Sequence, residues 1–273
     1  MKFTVLGGSG FIGRAVVARL RLHGHDVDVP GRDISTLRGR KLGHVIYAIG
    51  LTADYRTRVF DTADAHVSVL VGLLRDATFD SWLYLSSTRV YAGMQSPVAS
   101  ESMALIVRPD IDGLYNLTKL TGEAICLCQP GANVRVARLS NVYGPGQGDD
   151  TFLGSIVRDA ACGRVTAIGE APGSSKDYVS IDDVCALLEA IALRGRHAVY
   201  NVASGAPTGH AELARAMASA CGHTVTFVPG APQRAFPRVD ITRIASDFGF
   251  SPRPLEAELP RLIASYRSPH LNP

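Results

Sequence analysis

A chain of 273 residues, 46% hydrophobic and 19% charged, is long enough to bury a sizeable core and too apolar to be disordered. Its net charge is only +3, and its Lys and Arg residues form no basic tract, which argues against nucleic acid as a partner. No apolar run approaches the roughly 20 residues of a membrane span, and residues 1–20 lack the layout of a signal peptide. We therefore expect a globular enzyme with no membrane partner.

Strands and helices alternate along the first half of the chain. The apolar patterns predict strands at Phe3–Leu6, Val27–Pro30, His44–Ile49, Trp82–Ser86 and Val134–Leu139, and helices at Ala15–His23, Asp61–Asp76 and Leu114–Cys128. Only about a dozen residues separate the second strand from the third, so we expect one strand–helix unit to be trimmed there. The alternation predicts the α/β class, with a Rossmann-type doubly wound parallel sheet.

The second half has a different texture. After a Gly-rich loop at 143–148, the patterns predict helices at Phe152–Cys162, Asp182–Leu193, Ala211–Cys221 and Leu255–Tyr266, with a strand at Val165–Ile168. This stretch predicts a smaller C-terminal lobe, interleaved with the sheet.

The five cysteines form no repeating framework, and Cys126-x-Cys128 lacks a second ligand pair. We expect reduced thiols in a cytoplasmic protein and no metal site.

The first strand leads into a glycine-rich loop, Gly7-Gly8-Ser9-Gly10-Phe11-Ile12-Gly13. Glycines let a strand turn tightly and let backbone N–H groups approach a pyrophosphate at the next helix N-terminus. With a strand before it and a helix after it, the loop predicts dinucleotide binding, with Gly7, Gly10, Phe11, Ile12 and Gly13 against the coenzyme. The alternative is a purely structural turn. Residues 1–145 are thus expected to form a dinucleotide-binding domain, to which about 176–202 return, and 146–273 mostly a substrate-binding lobe.

The end of the second strand addresses the choice of coenzyme. NAD sites usually place a carboxylate there, whereas this chain has Gly31 followed by Arg32. A guanidinium suits the 2′-phosphate of NADP, and Arg14 in the first helix adds charge. We therefore expect NADP, with NAD as the alternative if Arg32 faces solvent and Asp33 takes the ribose.

Tyr115 and Lys119 stand four residues apart in a predicted helix, which brings them onto one face. A phenol beside a fixed ammonium ionises more easily and becomes a usable proton donor or acceptor. Upstream, Ser86, Ser87 and Thr88 follow a buried strand at the carboxyl edge of the sheet, where open α/β sheets bind ligands. The alternatives are a core tyrosine and a helix-capping serine.

Taken together, these motifs resemble the extended short-chain dehydrogenase/reductases, the NAD(P)-dependent nucleotide-sugar epimerase/dehydratase family. The similarity also covers Arg138–Gly146, Lys176–Val184, Tyr200–Gly205 and the Phe248–Pro252 tail. The resemblance implies that Ser87 bonds the reacting oxygen, that Tyr115 transfers the proton, and that Lys119 binds the nicotinamide ribose. Thr88 is a candidate substrate contact.

The resemblance also implies a nucleotide-diphosphate sugar as substrate, held by Asn141, Lys176 and Arg234, each of which is otherwise an ordinary surface residue. Members that eliminate water carry an Asp-Glu pair after the catalytic Ser or Thr, and this chain has Thr88 and Arg89, which disfavours dehydration. His66 stands where many members have Asn. The family often forms homodimers through the helices predicted at 61–76 and 114–128.

We therefore expect an NADP-dependent oxidoreductase that reduces a 4-keto-6-deoxy sugar nucleotide. A 4-epimerase that retains NAD is the alternative within the same machinery. A third hypothesis, from a different class, is a non-catalytic sensor or scaffold that binds NADP; it is disfavoured because both Tyr115 and Lys119 are present.

Overall fold

The computed structural model describes residues 1–52, 54–129, 133–234 and 236–267. In chain order the strands are β1 (Lys2–Leu6), β2 (Asp26–Asp28), β3 (His44–Tyr47), β4 (Ser81–Ser87), β5 (Val98–Ala99), β6 (Val134–Leu139), β7 (Asn141–Tyr143), β8 (Thr166–Ile168), β9 (Ser175–Lys176), β10 (Tyr178–Ser180), β11 (Val199–Val202), β12 (Thr208–Gly209), β13 (Val225–Phe227) and β14 (Arg238–Val239). The α-helices are α1 (Phe11–Leu22), α2 (Val59–Ala63), α3 (Val69–Asp76), α4 (Leu114–Leu127), α5 (Phe152–Ala161), α6 (Ile181–Arg194), α7 (His210–Cys221), α8 (Thr242–Phe248) and α9 (Leu255–Arg267).

Six of these strands form one parallel sheet in the order β2-β1-β3-β4-β6-β11. From β1 the chain passes outward to β2 and then crosses back to β3 on the other side, where Leu6 pairs with Tyr47. This reversal is the switch point at which doubly wound sheets open a ligand crevice beyond the strand ends. The predicted Rossmann-type sheet is confirmed, and the reversal places the candidate site at the ends of β1, β3 and β4.

The connection between β2 and β3 is short, as the residue count predicts. Residues 29–43, all of which the structure describes, contain one 3-10 turn at Ile34–Leu37 and no further strand of the sheet. The strand β2 ends at Asp28 instead of the predicted Pro30, since proline has no N–H to donate to a ladder. The strand β2 forms one edge of the sheet, and residues 31–33 after it are exposed.

Helices cover both faces of the sheet, so its strands are buried on both sides. On one face α1 and α6 enclose an apolar cluster that includes Val5, Leu20 and Leu188. On the other, α3 and α4 pack over a cluster that includes Leu70, Trp82 and Cys126.

The helix predicted at Asp61–Asp76 begins at Val59 and is interrupted by a π turn at Asp64–Ser68. A π turn rearranges the regular hydrogen bonds of the helix. Two buried tyrosines of the sheet bond to carbonyls there: Tyr47 Oη donates to Ala65 at 2.6 Å, and Tyr84 Oη donates to His66 at 3.2 Å. The periodicity of the helix does not reveal this turn, because the two tyrosines that bond to it lie on β3 and β4.

Helices α5, α7 and α9 form a separate apolar cluster in the second half of the chain, with Ile156, Leu213 and Leu259 at its centre. Helix α6 and strand β11 lie between these elements in sequence but pack on the main sheet, where β11 pairs with β6. Within the part of the chain that the structure describes, no helix has the length and apolar character needed to cross a membrane.

Candidate active site

The loop between β1 and α1 requires glycine at two positions for reasons internal to the protein. Gly7 has a φ of +80°, which side chains other than glycine rarely adopt. A Cβ on Gly13 would lie 2.2 Å from the carbonyl oxygen of Gly7, so the helix start and the strand end approach too closely for any larger residue. These glycines hold the first turn of α1 directly beyond the end of β1.

Gly10 differs, because the protein's own atoms leave room beside it. It has an extended backbone at the N-cap of α1, it is exposed, and the nearest atom to an added Cβ is 3.4 Å away. The first turn, which includes Phe11 and Ile12, carries no acidic side chain. A helix N-terminus with free N–H groups and an open approach fits a phosphate group. The predicted coenzyme residues of this loop therefore lie together at the N-terminus of α1, and their contact with a coenzyme stays a prediction.

After β2, Asp33 and Arg32, the two residues predicted to lie near the coenzyme ribose, have different surroundings. Asp33 accepts bonds from the backbone N–H and the hydroxyl of Ser35, at 3.0 and 2.6 Å, and caps the 3-10 turn. These bonds hold the pKa of the Asp33 carboxyl below its usual value. Arg32 is exposed at the open edge of the sheet. Arg14 Nη1 donates to the Ser9 carbonyl at 2.7 Å and so lies along the glycine loop.

Tyr115 and Ser87 come together at the carboxyl end of β4. Ser87 is the last residue of the strand, and its Oγ accepts the Arg89 backbone N–H at 3.1 Å, so the serine caps the next 3-10 turn, Thr88–Tyr91. Tyr115 is 4% exposed on α4. Burial raises the pKa of the Tyr115 phenol, whereas a hydrogen bond from Ser87 and the charge of Arg89 lower it. The capping role of Ser87 thus coexists with its predicted place beside the phenol.

Lys119 lies one turn after Tyr115 and is also 4% exposed. Its Nζ donates to the Leu85 carbonyl at 2.9 Å, which anchors it to the end of β4. Burial lowers the pKa of Lys119 to about 7, although the charge of Glu123 opposes this shift. The ammonium is therefore easily deprotonated in the protein alone.

This shift predicts a pH-dependent contribution to stability. A lysine titrates near pH 10.4 in an unfolded chain, so between about pH 7 and pH 10 the unfolded state holds a proton that the folded state has lost. We expect the free energy of unfolding of the wild type, relative to Lys119→Met, to rise with pH across that window. Urea denaturation of both proteins at several pH values measures this difference, and a constant difference would contradict the prediction.

His66 is fully buried within the π turn and stands against the same residues. Its Nδ1 lies 2.8 Å from Thr118 Oγ1, and its ring meets that of Tyr115 edge-on at 5.3 Å. Burial, and then the charge of Lys119, lower the pKa of His66 to about 3, so the imidazole is neutral. A Cβ added to Gly50 would lie 3.3 Å from His66 Nε2 and 3.2 Å from Lys119 Nζ, so both nitrogens border one small space at the end of β3.

A buried ionic network links α4 to the carboxyl ends of β4 and β6. Glu123 Oε2 accepts Arg138 Nη2 at 2.6 Å, and Glu123 Oε1 accepts Arg138 Nε and the hydroxyl of Ser86. Arg138 Nη1 also donates to Tyr91 Oη at 2.8 Å. Sequence reasoning missed Glu123, although its place four residues after Lys119 on the same helical face was a usable signal.

Lys176 and Arg234, two of the predicted substrate residues, meet at one carboxylate. Lys176 Nζ lies 3.1 Å from both oxygens of Glu170, and Arg234 Nε lies 3.7 Å from one of them. The ring of His210, which is fully buried, stacks on Phe152 at 4.7 Å, and its Nε2 is 3.7 Å from Glu170. Sequence patterns do not indicate that Glu170, His210 and Phe152 join this group.

The other two predicted substrate residues lie on different elements. Asn141 is exposed at the start of β7, and its Nδ2 donates to the carbonyl of Asp177, the neighbour of Lys176, at 2.8 Å. Thr88 is buried in the 3-10 turn that follows Ser87. The substrate roles of all four residues remain predictions.

The fold and this constellation define a dinucleotide-dependent enzyme class. A sequence profile of the NAD dependent epimerase/dehydratase family matches residues 3–203. The chain belongs to this family, as its motifs predict.

The chain is also similar to individual proteins of known sequence or structure. The chain is 27% identical over 221 residues to a dTDP-4-dehydro-6-deoxy-D-allose reductase from Streptomyces bikiniensis, an alignment covering 77% of this chain and 68% of the relative. MoeE5, solved in complex with UDP-glucose and NAD, superposes with a TM-score of 0.83 and 23% identity over 98% of this chain and 99% of that one. RMD from Pseudomonas aeruginosa, solved with NADPH, gives 0.80 and 24% over the same shares. The two structures share the fold with this chain.

Proposed function

We propose that this chain is an NAD(P)-dependent nucleotide-sugar oxidoreductase that reduces a 4-keto-6-deoxy sugar nucleotide, with Tyr115 as the proton donor. The observation that carries the proposal is the buried Tyr115 phenol, whose ring lies 5.6 Å from the Arg89 guanidinium just beyond the end of β4, the strand that Ser87 closes. The glycine-lined start of α1 lies beyond the neighbouring switch point, at the end of β1. A proton donor and an anion-binding helix end at the same edge of the sheet are what a coenzyme-dependent carbonyl reduction needs.

The chain's own residues divide the work. Ser87 bonds the carbonyl oxygen of the substrate, and Tyr115 releases its phenolic proton to that oxygen. Lys119, anchored on the Leu85 carbonyl, binds the ribose next to the nicotinamide. The bound coenzyme supplies the hydride that the carbonyl carbon receives.

NADP is the coenzyme we propose. Arg32 is exposed beyond β2, where a 2′-phosphate would lie, and Asp33 is engaged in capping the turn that follows. A guanidinium offers paired donors to a phosphate, whereas a carboxylate would repel it.

Arg32→Ala tests this choice. A hydrogen bond to a charged group contributes about 1.5–3 kcal/mol, so we expect the Kd for NADPH to rise about 10- to 100-fold and the Kd for NADH to stay unchanged. Fluorescence titration of the coenzyme measures both constants. Arg21→Ala, which removes an exposed arginine from the far end of α1, is the matched control. Equal losses for the two coenzymes would assign Arg32 no role in the choice.

The substrate assignment depends on the group of charges in the second half of the chain. We propose that Lys176 and Arg234 bind the diphosphate of the substrate and that Asn141 contacts the adjoining sugar or phosphate. The two cations already face a single carboxylate, Glu170, so they leave net positive charge there for a ligand. We also propose that residues 1–145, with about 176–202, bind the dinucleotide, and that the rest of 146–273 binds the substrate.

Arg89 and Thr88 support reduction over dehydration. Elimination of water needs a carboxylate pair at the departing hydroxyl, and these positions hold a cation and a buried hydroxyl.

The decisive experiment incubates the protein with NADPH and a panel of 4-keto-6-deoxy sugar nucleotides that differ in base. Stoichiometric loss of absorbance of the reduced nicotinamide, with one alcohol product, is the expected result. An isomer formed from a 4-hydroxy sugar nucleotide without net coenzyme consumption would establish the epimerase instead. No turnover of either the 4-keto or the 4-hydroxy sugar nucleotides would contradict both the reductase and the epimerase proposals.

We further propose a homodimer, formed by packing the α2–α3 and α4 helices of two copies together. Two apolar side chains on these helices, Phe60 (85% exposed) and Leu127 (41% exposed), support it. The five cysteines are free thiols, which is consistent with the cytoplasm as the compartment we propose.

A further inference from the structure

Arg89 places a guanidinium directly beside the candidate proton donor. Its Nη2 donates to Tyr55 Oη at 2.6 Å, and its Cζ lies 5.0 Å from the centre of the Tyr55 ring. The same Cζ lies 5.6 Å from the centre of the Tyr115 ring, and the two rings are 5.5 Å apart. Tyr55 is buried, so the three side chains form a compact group on one side of the phenol.

A neighbouring arginine offers a useful contrast. Arg56 also lies over the Tyr55 ring, at 4.6 Å, but it is paired with Asp112 at 2.6 Å, which offsets its charge. Among the described residues, no carboxylate oxygen lies within 4 Å of the Arg89 guanidinium. Arg56 lowers the pKa of Asp112 chiefly through a hydrogen bond, whereas Arg89 acts on that carboxyl only through its charge. The charge of Arg89 is therefore available to the site.

None of the other titratable groups described near Tyr115 carries a charge that is both permanent and unpaired. Lys119, on the same helix, has a pKa of about 7 and loses its proton near neutral pH. His66, on the π turn, is neutral, and Glu123 behind Lys119 is paired with Arg138. An arginine stays protonated across the whole working range of pH. Arg89 is thus the one permanent unpaired cation that the described residues bring against the phenol.

We propose that Arg89 is a positioning residue for proton transfer: it holds Tyr55 against Tyr115 and keeps a permanent positive charge beside the phenolate that proton donation leaves. This inference rests on the proposed function. In reduction, the O–H bond of Tyr115 breaks and its proton goes to the substrate oxygen, while the carbonyl carbon takes the hydride supplied by the reduced coenzyme. The negative charge stays on the Tyr115 oxygen until a solvent proton neutralises it. During that interval the positive charge of Arg89 stabilises the phenolate.

The same residue gives this site a chemistry different from that of the eliminating members of its family. A carboxylate at position 89 would act as a base and would also raise the pKa of Tyr115. The guanidinium removes the base and has the opposite effect on the phenol. Exclusion of dehydration and support of Tyr115 thus follow from one side chain.

The test reads the ionisation of Tyr115 directly, in the protein without coenzyme or substrate. A fluorinated tyrosine, whose phenol ionises at lower pH than tyrosine itself, is incorporated throughout, and ¹⁹F NMR follows each phenol with pH. Comparison with Tyr115→Phe assigns the Tyr115 signal. The variants are Arg89→Met, Arg89→Lys and the control Arg56→Met, with circular dichroism to confirm folding; Arg89→Gln replaces the methionine variant if that variant does not fold.

We expect Tyr115 to titrate at least about 1 pH unit higher in Arg89→Met than in the wild type, because an opposite charge at this range shifts a pKa by that order. Arg89→Lys is expected to restore most of the shift, and Arg56→Met to leave it unchanged. In an assay with substrate, the fall of kcat/KM at high pH moves upward by the same amount in Arg89→Met. Equal titration of Tyr115 in the wild type and Arg89→Met, or an equal shift in Arg56→Met, would overturn the inference. The NMR result does not depend on the substrate, so failure of the proposed reductase activity is seen separately in the assay.

Discussion

Replacing Tyr115 with Phe is expected to lower kcat by about 10²- to 10⁴-fold, since a positioned general acid contributes that much to proton transfer. The substitution removes one oxygen and keeps the ring, which packs against Tyr55 at 5.5 Å and His66 at 5.3 Å. We therefore expect the fold and the Kd for NADPH to be preserved. Steady-state kinetics with the substrate found in the panel, together with coenzyme titration, separate the two effects.

The matched control is Tyr266→Phe. The Tyr266 hydroxyl also makes a hydrogen bond, 3.0 Å to the carbonyl of Gln147, but it lies on α9, against the apolar cluster formed by α5, α7 and α9. Loss of this hydroxyl is expected to leave kcat unchanged. Turnover of Tyr115→Phe at the wild-type rate would remove Tyr115 from the role of proton donor, and an equal fall in both variants would point to general damage.

The parts of this molecule that short sequence patterns specify were predictable. A buried parallel strand is a continuous apolar run, and the loop after β1 needs Gly7 and Gly13 because of its own backbone geometry. The four-residue step from Tyr115 to Lys119 needs only the helical period to bring the side chains together. Each of these inferences uses residues that are neighbours in sequence.

The unpredicted parts depend on contacts between distant segments. Tyr55 follows β3 in sequence, and only the fold places it beside both Arg89 and Tyr115. Glu170 and Arg234 are likewise far apart in sequence and meet only in the folded chain. The identity of Arg89 alone argues against dehydration, but its hydrogen-bond partner Tyr55 is 34 residues away in sequence and is seen only in the folded chain. The charge balance of the site is therefore a property of the folded chain.

Arg138→Met is expected to destabilise the protein by about 3–5 kcal/mol, the usual result of leaving one member of a buried ion pair alone. Glu123 is 3% exposed, and its carboxylate would lose three arginine hydrogen bonds while keeping only that of Ser86. Urea denaturation at neutral pH measures the change in the free energy of unfolding.

The double variant Glu123→Gln with Arg138→Met separates charge from packing. A neutral amide needs no cation and still offers Ser86 an acceptor, so the double variant is expected to regain part of the stability that the single variant lost. A double variant no more stable than Arg138→Met would show that lost packing of the arginine, and not the unpaired carboxylate, causes the damage. Ser86 precedes Ser87, and Glu123 lies one turn after Lys119, so this ion pair also holds the end of β4 beside the proposed proton donor. We therefore expect any recovered stability to be accompanied by recovered turnover.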